Sequence, residues 1–257
     1  MDPHAPRTVT AGGVTQAYRT WGPADAPPVV LLHCRGADGA DWTTIAERLA
    51  APPHPRRVHA PDLRGHGHSD WPGTYRAETM AEDVHALSAA LGLDRVDLVG
   101  HSLGGLVACL LAQRHPTTVR RLVLEDVGVP VPLDPPRPPA RRPDGKLPFD
   151  WAMVRATDAE RNAPDPRWRE RMDRITAPTL VIGGGPTSLI PQEQVAQLAR
   201  LIPDARLVTV DAGHLVHRTR PEEFLAAVTG FLDGQGPARD PKVLPTWPVG
   251  HRGRSLG

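Results

Sequence analysis

A serine hydroxyl is a weak nucleophile until a base takes its proton. The pentapeptide Gly100-His101-Ser102-Leu103-Gly104 has the G-x-S-x-G pattern that prepares one for that role. A sharp turn from strand to helix tolerates little bulk beside the serine, which Gly100 and Gly104 satisfy. Such a turn lifts the hydroxyl clear of a sheet and aims the first free N–H groups of the next helix at whatever the hydroxyl attacks. The context fits on both sides: Val96, Leu98 and Val99 precede the pentapeptide as a short apolar strand, and small residues run on as a helix through Leu110, Leu111 and Ala112. Of the 12 histidines, position selects His214 in Asp211-Ala212-Gly213-His214, between the last strand and the last helix; His217 is its neighbour and rival.

Those residues need a scaffold, and the chain alternates strand and helix patterns. Residues 8–11 and 14–19 around Gly12-Gly13 predict a hairpin. The continuous apolar run Val29-Val30-Leu31-Leu32 predicts a buried parallel strand, followed by the loop His33-Cys34-Arg35-Gly36. Residues 41–50 and 79–91 predict helices, with Trp42, Ile45 and Leu49 on one face of the first and Met80, Val84, Leu87 and Leu91 at helical spacing in the second. Strands are predicted at 58–60, 119–124, 179–182 and 206–210, and helices at 192–201 and 221–232, the last with proline in its first turn.

Residues 129–148 break the pattern: eight of the 20 are proline, which excludes a regular helix or a central strand. Helical patterns at 149–161 and 166–175 follow, with Trp151 and Trp168 as apolar anchors, so residues 129–177 read as an excursion from the sheet. The expected organisation is an α/β core from residues 1–128 and 178–233, a Pro-rich cap at 129–177, and a tail at 234–257 too poor in apolar residues for fixed structure. Alternation of this kind argues a mostly parallel, doubly wound sheet. Its sites form beyond the C-terminal strand ends, which puts Cys34-Arg35, Ser102, Asp126, Gly183-Gly184-Gly185 and His214 on one rim.

Composition narrows the partners. Thirty Lys and Arg against 29 Asp and Glu leave a net charge of +1, so neither nucleic acid nor a membrane surface is expected, and the partner is a small-molecule substrate. No apolar run is long enough to span a bilayer. Two cysteines far apart, Cys34 and Cys109, and a first few residues without a basic start or apolar stretch give the expectation of a cytoplasmic protein. His66-Gly67-His68 lacks the companions of a metal site, and Gly183-Gly184-Gly185 lacks the lysine of a phosphate loop. Asp62 is expected to tie its loop to backbone.

The elbow, His33, Pro61-Asp62-Leu63-Arg64-Gly65-His66-Gly67-His68-Ser69 and Gly213-His214 together resemble the α/β-hydrolase superfamily across residues 14–232. The resemblance implies the α/β-hydrolase fold, with Ser102 as nucleophile, His214 as base, an acid between them in chain order, and an oxyanion hole from the backbone N–H groups of Arg35 and Leu103. Cys34 departs from the glycine that relatives usually carry. The implied reaction is acyl transfer from an ester or similar carbonyl compound to water through an acyl-enzyme, with no metal and no organic cofactor. Serine at the elbow argues against halide displacement and epoxide opening, which use aspartate there. Carbon–carbon bond hydrolysis, perhydrolysis and a non-catalytic small-molecule receptor are the alternatives.

The acid needs a separate argument. In most of the family it follows the strand that is 179–182 here, and that pattern falls on Thr187; residues 176–191 contain no carboxylate. A minority take it one strand earlier, where this chain reads Leu122-Val123-Leu124-Glu125-Asp126. Alternation sends Glu125 and Asp126 to opposite sides. Asp126 is the choice for the acid, Glu125 the runner-up, and backbone capping at the start of the excursion is the competing role for Asp126.

Overall fold

The computed structural model describes residues 4–234, so the expectation for a tail lies, beyond Gly234, outside the described residues. Eight strands form one sheet in the order β1-β2-β4-β3-β5-β6-β7-β8: β1 Arg7–Ala11, β2 Val14–Trp21, β3 Pro28–Leu32, β4 Arg57–Pro61, β5 Val96–His101, β6 Val119–Glu125, β7 Thr179–Gly183 and β8 Ala205–Thr209. The β1–β2 hairpin and the β2–β4 pair are antiparallel, and every pairing from β4 through β8 is parallel. This is the mostly parallel α/β-hydrolase fold.

Successive side chains of a strand point to opposite faces, and both faces here are covered. Val30, Leu32, Leu98, Leu122 and Leu124 pack on one side against α2 (Ala77–Ala90), α3 (Leu103–Arg114) and α6 (Gln192–Leu201). Val29, Leu31, Val99 and Val123 pack on the other against α1 (Thr43–Ala50) and α8 (Pro221–Leu232). Double burial explains why these strands read as continuous apolar runs.

The excursion between β6 and β7 carries no helix or strand from 130 to 148. It then forms α4 (Trp151–Asn162) and the short α5 (Arg167–Glu170). Asp150 accepts from Ala152 N at 2.9 Å, so its side chain caps α4 and the helix begins two residues later than the expected Phe149. The expected helix at 166–175 breaks into α5 and a 3₁₀ turn at Met172–Arg174. Met153, Trp168 and Met172 are buried in the apolar cluster that contains Val107 and Leu111 of α3. The loop after β4 fastens the excursion through Gly67 N to Pro148 O and Asp150 N to Gly65 O, and Tyr75 Oη donates to Asp150 at 2.6 Å. Asp62 orders that loop by accepting from Gly39 N, His68 N and Arg19. Two further differences lie near the rim. A 3₁₀ turn at Gly39–Trp42, capped by Asp38, precedes α1, and a four-residue helix, α7 (Val216–Thr219), precedes α8.

The β5–α3 junction leaves no room for side chains. A Cβ on Gly100 would stand 2.5 Å from Gly104 O; one on Gly104 would stand 2.6 Å from His33 O and collide with Leu32 O. Gly104 O belongs to α3, and the carbonyls of Leu32 and His33 to β3 and its exit, so helix, elbow strand and neighbouring strand meet backbone to backbone. Gly104→Val is expected to lower stability by at least about 1–3 kcal/mol, the usual range for overpacking. A lowered denaturant midpoint checks this, and an unchanged midpoint would contradict the close approach.

Candidate active site

Ser102 sits between β5 and α3 at φ 52°, ψ −112°. A non-glycine residue with positive φ is strained and persists only where its surroundings over-determine it, which happens chiefly at functional positions. Here the glycines on either side and the packing against β3 impose the turn. Leu103 opens α3, so its N–H belongs to the first turn that a helix leaves without an internal partner. Arg35 lies in the loop after β3, and its guanidinium reaches the excursion, bonding Asp158 and Thr157 of α4.

Asp126 is the second non-glycine residue with positive φ, at 48°. It follows directly on Glu125, a second buried carboxylate that alternation points the other way. Asp126 is fully buried and accepts from His214 Nδ1 at 2.7 Å, Gly184 N at 2.9 Å, Gln192 Nε2 at 3.1 Å and Ser188 Oγ. Burial alone would raise its pKa, but these hydrogen bonds outweigh it and hold the carboxyl below the ordinary carboxylate value. A carboxylate only accepts, so His214 carries its proton on Nδ1 and leaves Nε2 with a lone pair.

Glu125 turns into the core and meets the rival histidine. Both the backbone N and Nδ1 of His217 donate to it at 2.8–2.9 Å. His217 stacks on Trp42 at 4.2 Å, and its Nε2 stands 3.4 Å from Asp41 Oδ1. The two expected candidates for each role are thus two separate pairs, His214–Asp126 on the rim and His217–Glu125 beneath it. His101 lies between them, fully buried, with Nε2 donating to the backbone oxygen of His214 at 2.7 Å. Ser102 N donates to Glu125 O at 3.1 Å. The elbow is therefore bonded on one side to Glu125, the last residue of β6, and on the other to the backbone of His214.

The other positions of interest do different work. Thr187, at the vacant acid position, bonds Asp211 at 3.3 Å, and its neighbour Ser188 supports Asp126. His33 is fully buried and accepts from Leu63 N at 2.9 Å. Cys34 is half-buried, and burial pushes its thiol up to about 11. Ser188, Gln192, His101 and Asp41 were invisible as site residues in the sequence. A vacant acid position beside Ser188 was the only signal that this loop had found another use.

For His217, burial would lower the pKa, but Glu125 and Asp41 raise it to about 9. A group whose folded pKa lies above its unfolded value of 6.5 contributes stability fully below that value and loses it as pH rises through the folded pKa. The 1%-exposed side chain makes this a buried effect of order 3 kcal/mol. Stability measured by urea denaturation is expected to fall between pH 6.5 and 9.5. The fall should largely vanish in Glu125→Gln, which is itself expected to lose about 3–5 kcal/mol as a broken buried pair.

The chain shares its fold with known proteins. Residues 27–165 match the family model described as alpha/beta hydrolase fold. The chain is 29% identical to the mouse (Mus musculus) sn-1-specific diacylglycerol lipase ABHD11, covering 82% of each sequence. It is 31% identical to the 2-hydroxy-6-oxo-2,4-heptadienoate hydrolase of Pseudomonas putida, covering 88% of this chain and 95% of that one. Among solved structures, the enol-lactonase from Burkholderia xenovorans LB400 superposes with a TM-score of 0.77 at 27% identity, covering 88% of this chain and 100% of that chain. With the G-x-S-x-G elbow at Ser102, the parallel sheet behind it and a family match across more than half its length, the chain belongs to the alpha/beta hydrolase fold family.

Proposed function

We propose that the protein is a serine hydrolase in which Ser102, His214 and Asp126 form a catalytic triad and residues 129–177 cap the site. The observation that carries this reading is the His214 Nδ1–Asp126 bond, which fixes one imidazole tautomer in a chain whose elbow serine is held in a strained turn. His214 Nε2 takes the Ser102 proton as Oγ attacks the substrate carbonyl. The N–H groups of Leu103 and Arg35 receive the oxyanion; each such donor is worth about 2.7–4 kcal/mol in a comparable hydrolase. His214 then protonates the leaving group, and the same nitrogen activates water to release the acyl group. Asp126 stays ionised throughout, because four donors converge on it.

The substrate class is an ester or similar carbonyl compound of small size. A second reading, hydrolysis of a carbon–carbon bond next to a ketone, is favoured by the similarity to the Pseudomonas putida hydrolase. The two free cysteines suit a cytoplasmic setting. Among the described residues no helix is long and apolar enough to cross a membrane.

A fluorophosphonate probe is expected to label Ser102, and the protein to turn over a short-chain nitrophenyl ester. A diketone assayed in parallel separates the two chemistries, and labelling without any turnover would favour a small-molecule receptor. Ser102→Ala should abolish labelling and turnover while shifting stability by no more than about 0.5 kcal/mol. Asp126→Asn should cut turnover by about 10³–10⁴, whereas Thr187→Ala should reduce it far less. Near-normal turnover in Asp126→Asn would remove that residue from the triad.

A further inference from the structure

Three side chains that the proposed reaction does not use converge behind the rim. The ligating atoms of Cys34, Asp41 and His101 lie within 4.8 Å of one another. His101 gives Nε2–H to the His214 carbonyl, which leaves Nδ1 with its lone pair; that atom is fully buried and has no hydrogen-bond partner among the described residues. The Asp41 side chain is 3% exposed. Its Oδ1 bonds Arg218 and faces His217, while Oδ2 is buried and likewise without a partner. Native interiors seldom leave buried acceptors unsatisfied, and such atoms call for an explanation.

We propose that Cys34, Asp41 and His101 form a site for a thiophilic divalent cation, zinc above all, whose binding inhibits the enzyme. Thiolate, carboxylate and imidazole are the donors zinc selects. A tetrahedral ion holding ligands at about 2.0–2.3 Å spaces them by about 3.5 Å, so the observed cluster closes on the ion with movements of about an ångström. The Nε2–H bond of His101 to a backbone carbonyl is the support that metal-ligating histidines use to fix their tautomer. Charge balances as well. Cys34 releases its thiol proton to solvent, and the thiolate and the Asp41 carboxylate cancel the dication. The half-exposed Arg218 and the Glu125-paired His217 keep their own partners, Arg218 on Oδ1 and His217 on Glu125. Cys34 is half-buried and gives the ion its approach from solvent.

Inhibition follows from position. Cys34 immediately precedes Arg35, and His101 immediately precedes Ser102. An ion that draws Cys34 and His101 together shifts the proposed oxyanion donor relative to the proposed nucleophile, and a misplacement of about 1 Å can cost about 100-fold in rate. This arm rests on the hydrolase reading; the binding arm does not.

The test uses the full chain. Cobalt titrated into the wild-type protein should give a thiolate-to-metal charge-transfer absorption at one equivalent, and zinc should compete it away. Cys34→Ala should lose that absorption and bind zinc more than about tenfold more weakly by chelator competition. Asp41→Asn, checked for folding by circular dichroism, should also weaken zinc. Ester turnover should fall at least about tenfold with stoichiometric zinc in the wild type and not in Cys34→Ala. The surface pair His85 and His115, stacked at 3.7 Å with Glu82 bonded to His115, supplies the control. Zinc binding that survives Cys34→Ala, or is lost in His85→Gln, overturns the assignment. Should the protein hydrolyse nothing, the cobalt spectrum still decides the metal site.

Discussion

Two neighbouring carboxylates at the end of β6, pointed opposite ways by strand alternation, decide the layout of the site. Glu125 and Asp126 are adjacent carboxylates, both fully buried, and like charges so placed would destabilise each other if they faced the same way. Strand alternation sends them apart, Glu125 into the core and Asp126 to the rim, where its left-handed conformation ends the strand. Each then finds an imidazole, and each imidazole comes from the segment after β8. The parallel register places this strand end beside the elbow, since His101 pairs with Glu125 across β5 and β6. The sheet thus fixes the position of the elbow and of the carboxylates together, and the loop after β8 closes over both.

The lower pair gives the upper one a rigid floor. His217 is held by Glu125, stacked on Trp42 and faced by Asp41, so the short helix α7 is tied to the core by a charged cluster with little solvent around it. His214 stands three residues before His217, and its carbonyl is held by His101. The imidazole on the rim therefore rests on a backbone secured at two points. A buried ion cluster adds little net stability over apolar packing, but it does specify one arrangement of the loop.

Much of the fold was readable because the strands are buried on both faces and appear as apolar runs, and because the turn at Ser102 demands glycine on each side. The contact of Asp126 with His214 was expected from the family resemblance, whose minority layout puts a carboxylate at this strand end, and from the lack of one in residues 176–191. The pairing of Glu125 with His217 was not. It depends on a four-residue helix too short to show a period. Gln192 begins α6 and looked like an ordinary first-turn residue; its bond to Asp126 depends on how α6 abuts the end of β7. Asp41 looked like the start of a helix, and the 3₁₀ turn at Gly39–Trp42 turns it inward instead.

Asp126 is also the last residue before the excursion leaves the sheet. In the commoner layout of the fold the acid follows the next strand, here β7. In this chain the support of the proposed base lies three residues ahead of the proposed cap at 129–177. Arg35 and Asp158 make a second junction between the excursion and the loop beside Ser102. The excursion therefore reaches the support of His214 through the chain and the Arg35 loop through an ion pair. The proposed cap and the proposed triad thus meet at two places in this chain, one along the backbone after Asp126 and one across the Arg35–Asp158 ion pair.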